Sequence, residues 1–210
     1  MHRFLLALLA MVFCASAIAE SVRVPGIDGD AGELNVRLPP NYDVSQSYSV
    51  LLSPGDYYWQ DRESVPGWIV VTGGPFYGGD VVGKSRLALD FLRLRYPPKG
   101  GGFHLAGWSA NSAGVFQIAM AHAQDFLSVT GIAGMPGNAT DSDLDKLKSV
   151  SVHFVVGDND TYWRDGSKRA HRRLQARGVN STLEIIANGG HVMDELVGPP
   201  IFERLEGWME

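Results

Sequence analysis

Apolar and polar residues along the chain follow two different strand patterns. Glu33-Leu34-Asn35-Val36-Arg37-Leu38 alternates polar and apolar, as a half-buried antiparallel strand does. Ser49-Val50-Leu51-Leu52 and Trp68-Ile69-Val70-Val71 are instead nearly continuous apolar runs, ended by Ser53-Pro54-Gly55 and Thr72-Gly73-Gly74-Pro75. Runs of this kind predict strands buried on both faces, the situation in a parallel sheet. Phe103-His104-Leu105-Ala106, Val129 to Ala133, Val150 to Val156 and Thr182 to Ala187 predict further strands. Helical spacing lies between and after them: Leu87 to Tyr96 before Pro97-Pro98, Val115 to His122, Arg169 to Arg177 before Gly178, and Ile201 to Met209. Strands alternating with helices at these intervals predict one α/β domain with a mostly parallel central sheet flanked by helices.

Residues 1–19 read differently. A short basic start at His2 and Arg3 leads into an apolar run from Phe4, and Ala17-Ile18-Ala19 supplies the small residues of a cleavage site. The run is short for a bilayer span of about 20 residues. The segment therefore reads as a signal peptide removed after Ala19, leaving a domain over 20–210 that is secreted or periplasmic and has no stable membrane span.

Composition then narrows the chemistry by exclusion. The 210 residues carry 18 Lys+Arg against 23 Asp+Glu, a formal charge of −5. An acidic balance argues against nucleic acid as a partner, because phosphate binding needs surplus Lys and Arg. The single cysteine, Cys14, lies in the signal segment, so no disulfide, thiol nucleophile or cysteine zinc site is expected. The histidines are scattered and the Asp158/Asp160 pair alone does not make a cation site, so neither a metal nor a cofactor is expected.

Serine chemistry remains. Phe103-His104-Leu105-Ala106-Gly107-Trp108-Ser109-Ala110-Asn111-Ser112 runs from strand into helix with a serine at the turn. In a Gly-x-Ser-x-Gly elbow the turn is so tight that flanking positions need very small side chains, and the serine oxygen is held up at the sheet's carboxyl edge. Gly107 meets the first requirement. Asn111 takes the place of the second glycine, a position where tolerance of positive φ would serve. A rival register puts the nucleophile at Ser112, in Ala110-Asn111-Ser112-Ala113-Gly114; it would require the strand to run on through Gly107 and Trp108. Two acids, Asp158 and Asp160, follow the Val150–Val156 strand, and His191 follows Thr182–Ala187 in Asn188-Gly189-Gly190-His191. His104 and His153 fall within strands, and His122 and His171 within helices, where packing or surface roles suffice.

Leu38-Pro39-Pro40-Asn41-Tyr42-Asp43, GWIVV, FHLAGWS, VVGDND and GGH, taken in that order, resemble the α/β-hydrolase superfamily. Within it they look most like the secreted esterase and polyhydroxyalkanoate-depolymerase-like branch. The resemblance implies a single-domain α/β-hydrolase without a large lid, and a carboxylic-ester hydrolase working through an acyl-enzyme. It implies Ser109 as nucleophile, Asp160 as acid and His191 as base, with the Ala110 N–H and a donor near Gly55 forming the oxyanion hole. The implied partner is a small-molecule or polymeric ester. Tyr57, Trp108 and Trp163, near the predicted strand ends, are candidates for the substrate pocket. Two departures from the family pattern bear on activity: Asn111 and Ser112 replace paired glycines, and Ser53-Pro54-Gly55 replaces a His-Gly loop, where Pro54 has no N–H to donate. These departures support a second reading, a weak or inactive hydrolase-like binding protein. The same triad chemistry also serves peptidases and thioesterases.

Overall fold

The computed structural model describes residues 19–60 and 67–209. The segment expected to be a signal peptide, apart from Ala19, lies outside the described residues. Eight strands form one sheet in the order β1-β2-β4-β3-β5-β6-β7-β8: β1 Ala19–Arg23, β2 Glu33–Arg37, β3 Ser49–Ser53, β4 Trp68–Gly73, β5 Phe103–Trp108, β6 Phe126–Ile132, β7 Ser151–Gly157 and β8 Ser181–Ile186. The β1–β2 and β2–β4 pairs are antiparallel, and every other pair from β4 to β8 is parallel. Among the described residues, five α-helices accompany the strands: α1 Val81–Arg95, α2 Asn111–Ala121, α3 Asp141–Leu144, α4 Thr161–Gln175 and α5 Pro199–Gly207.

The continuous apolar runs are explained by two separate cores. Val50, Leu52, Ile69, Val71, Leu105, Val152 and Phe154 point to one face, where α1, α2 and α4 bring Leu89, Leu92, Phe116, Ile118 and Leu174. Their strand neighbours Leu51, Trp68, Val70, Ala106 and Val155 point to the other face, against Ile201, Phe202 and Leu205 of α5. Successive side chains alternate between faces, so a strand covered on both sides must be apolar at nearly every position.

The boundaries differ from the sequence reading in several places. Strand β1 carries no sequence signal because its residues stay exposed or half-buried. Helix α1 begins at Val81 rather than near Leu87, because Asp80 caps it by accepting from the Gly83 N–H at 3.1 Å. Helix α4 begins at Thr161 rather than Arg169, and β6 at Phe126 rather than Val129. Strand β5 runs on through Gly107 and Trp108, the length the Ser112 register was expected to need, but its ladder ends one residue before Ser109. Among the described residues, no helix is long and apolar enough to cross a membrane.

Candidate active site

Three loops at the carboxyl ends of β5, β7 and β8 bring Ser109, Asp160 and His191 together. Ser109 is the first residue after β5 and has φ 56°, a left-handed conformation costly for a side chain other than glycine. Its N–H still donates to the Ile132 carbonyl at 3.0 Å, while α2 departs two residues later. That turn has room only because Gly107 lacks a side chain: a Cβ there would lie 2.8 Å from Val115 Cγ2 and 3.0 Å from Ser112 Cα.

The expected role of Asn111 is overturned. It does not take a positive φ; Ser109 does, and Asn111 is the first residue of α2, in the wall of a cavity. Ser112 is fully buried, donates to the Ser109 carbonyl at 2.6 Å and accepts from the Met135 N–H at 3.0 Å. It thus ties the elbow to the loop after β6. The space a glycine would leave on the helix is provided across the gap by Gly134, where a Cβ would lie 2.5 Å from Ser112 Cβ. Ala133 beside it holds φ 40° while fully buried, a second strained residue within reach of the turn.

The acid and histidine loops are joined by their backbones. Gly157 ends β7 against Gly189, and the Asn159 N–H donates to the Gly189 carbonyl at 2.9 Å. Asp160 is the N-cap of α4 but makes no side-chain cap. Its oxygen instead accepts from His191 Nδ1 at 2.7 Å. With Nδ1 donating, Nε2 is left as an acceptor, and Ser109 Oγ lies 2.9 Å from it. Asp158 takes no part in this chain of bonds: its N–H donates to Ile186, and its carbonyl accepts from Arg164.

Around this line the structure places the other expected residues. Gly55 lies in a loop where its carbonyl accepts from Ser53 Oγ at 2.8 Å. With Asp56, Tyr57, Tyr58, Trp108 and Asn111 it lines a cavity of about 190 Å³. The Ala110 N–H belongs to the start of α2, where amides have no intrahelical acceptor. Ala110 and Trp163 line a larger, open groove of about 690 Å³ on α2 and α4. The Tyr57 hydroxyl donates to Asp194, a bond that raises the phenol above its ordinary value. Burial pushes the neighbouring Tyr58 hydroxyl up to about 12, and it accepts from the Met193 N–H. The loop of Gly55 is therefore fastened to the loop of His191. Sequence reading missed this fastening; the glycines of GDND and NGGH were a sign only of the other contact, between the acid and histidine loops.

No protein-family model matches the sequence, and no curated protein matches it. Solved structures do resemble it. The ferulic acid esterase of the anaerobic fungus Anaeromyces mucronatus aligns with a TM-score of 0.66 at 13% identity, over 97% of this chain and 95% of that one. The fold is that of the α/β-hydrolases. The feruloyl esterase module of Clostridium thermocellum, solved with sinapinate, gives a TM-score of 0.64 at 14% identity over 85% of this chain and 82% of that one. Dienelactone hydrolase from Anabaena variabilis gives 0.59 at 16% over 92% and 96%. In an α/β-hydrolase, nucleophile, acid and histidine follow in that chain order, the order in which Ser109, Asp160 and His191 occur.

Proposed function

We propose that the protein is a serine carboxylesterase. One observation carries this reading: Ser109 Oγ, His191 and Asp160 are linked in series, at 2.9 Å and 2.7 Å, with the serine on a strained turn. In the proposed reaction His191 Nε2 takes the Ser109 proton as the hydroxyl oxygen attacks the ester carbonyl. Asp160 holds the imidazole and offsets the charge it gains. The developing oxyanion is stabilised by the Ala110 N–H and by a donor from the Gly55 loop, with Gly55 and Asp56 following Pro54. Collapse expels the alcohol, which takes the proton back from His191, and water then releases the acid by the same route.

The likeness to ferulic acid esterases and the aromatic wall of the smaller cavity support an acyl group no larger than a single substituted ring. The open groove beside Ala110 suits a larger alcohol, including the end of a polymer. The leader pattern and the sequence motifs support an exported enzyme, processed after Ala19, of the polyhydroxyalkanoate-depolymerase-like branch. Purified protein lacking residues 1–19 should hydrolyse activated esters of short and aromatic acids. Ser109→Ala and His191→Ala should each lose at least about 10³-fold in kcat. Equal activity in all three proteins would reject the reading.

A further inference from the structure

Two indoles pack near the imidazole of His191, one from the end of β5 and one from the start of α4. Trp108, immediately before Ser109, has its ring 5.6 Å from the His191 ring at 32°. Trp163, three residues beyond Asp160 in the first turn of α4, lies 6.0 Å away at 26°. Both indoles are held in turn. Trp108 stacks on Tyr57 at 5.2 Å and donates from Nε1 to the His191 carbonyl at 3.3 Å. Trp163 meets the edge of Tyr162 at 5.2 Å. Aromatic lining of a hydrolase cavity ordinarily means contact with substrate. Here, however, the Trp163 ring is stacked against, and the Trp108 ring tilted beside, the one side chain that must acquire a positive charge during the reaction.

We propose that Trp108 and Trp163 are positioning residues for His191, stabilising its protonated form and the ring orientation that serves both Ser109 and Asp160. The inference rests on the esterase reading of the same site. An aromatic face attracts a cation within about 6 Å of its centroid. Indole is the strongest of the natural faces, and attraction to a charge that exists fully only after proton transfer favours the transition state over the ground state. Neither indole is a member of the Ser109–His191–Asp160 line of hydrogen bonds. Among the described residues, Asp160 bonds His191 Nδ1, Asp158 and Arg164 are paired through the Asp158 carbonyl in the acid loop and α4, and Asp194, held by Tyr57, and Glu195 follow His191 in its own loop. A Trp163 substitution removes none of these groups.

The test compares wild type, Trp163→Leu, Trp163→Phe and His191→Ala on three esters of different acyl size across a pH series. Trp163→Leu should lose about three- to tenfold in kcat/KM, by a similar factor on every ester. The acid limb of its kcat/KM profile should move to lower pH, because the variant loses a face that attracts the charged form. Trp163→Phe, which keeps an aromatic face, should recover part of both effects. A loss confined to one acyl size, carried by KM, with the acid limb unmoved, would assign Trp163 to substrate contact and overturn the inference. Unchanged activity in His191→Ala would instead reject the esterase reading itself.

Discussion

The backbones of Gly157 and Gly189 touch: a Cβ added to Gly157 would lie 2.3 Å from the Gly189 carbonyl carbon, and one added to Gly189 would lie 2.9 Å from Gly157 Cα. This contact sets the spacing between Asp160, three residues after the first glycine, and His191, two after the second. Gly157→Ala should therefore push the two loops apart. We expect a loss of about 1–3 kcal/mol in stability from overpacking, and a fall in kcat far larger than that loss explains at a temperature where the variant is fully folded. Thermal melts and esterase assays on the same preparation separate the two effects.

Ser112 gives the complementary case. It holds the elbow to Met135 but lies out of reach of His191's bonding line. Ser112→Ala should leave kcat within a few-fold of wild type. It should lower stability by about 1–3 kcal/mol, because the Met135 N–H loses its partner. Denaturant unfolding measures the second quantity.

Tyr57→Phe removes the hydroxyl that donates to Asp194 but keeps the ring stacked on Trp108. The Gly55 and His191 loops then lose one of their fastenings. A fall of about fivefold in kcat/KM is expected, with little change in acyl preference. A changed preference would show that Tyr57 acts on substrate instead.

Stability should also depend on pH through two histidines far from Ser109. Burial lowers His104 from 6.5 to about 4, and burial together with His104 lowers His153 to about 4. Each is held neutral: His104 Nδ1 meets Ser128 Oγ at 2.8 Å, and His153 Nδ1 meets Thr182 Oγ1 at 2.9 Å. Below pH 6.5 the unfolded chain binds protons that the folded one refuses. Stability therefore falls as pH drops from 6.5 towards 4, by up to about 1.4 kcal/mol per unit for each histidine. Asp143 and Asp145, held at about 2 by Lys146 and Arg177 respectively among other partners, lose their contribution only below 3.8 and do not act in this window. Melting temperatures measured at steps from pH 7 to 4 should show the slope. The double variant His104→Asn, His153→Asn should flatten it.

Most of the sheet was legible because strands buried on both faces must be apolar at nearly every position, as Leu51 and Leu52 are on opposite faces of β3. Ser109 and Asp160 were proposed because each lies just past such a run, and His191 because it follows the half-buried strand β8 in a glycine loop. What escaped reading were contacts between segments. Helix α1 starts early because Asp80 caps it, and α4 hides its first two turns because Tyr162 and Trp163 face the site rather than the main core. The departures at Asn111 and Ser112 suggested a weakened elbow. The compensation sits at Gly134 and in the φ of Ser109, and neither can be read from the motif itself.

The central claim, that Ser109 is an activated nucleophile, is tested most directly by covalent labelling. Folded protein treated with a fluorophosphonate should take up one label, mapped by mass spectrometry to the peptide bearing Ser109. Ser112→Ala should be labelled as wild type is, and Ser109→Ala not at all. A folded wild type that takes no label, or a label retained in Ser109→Ala, would contradict the account.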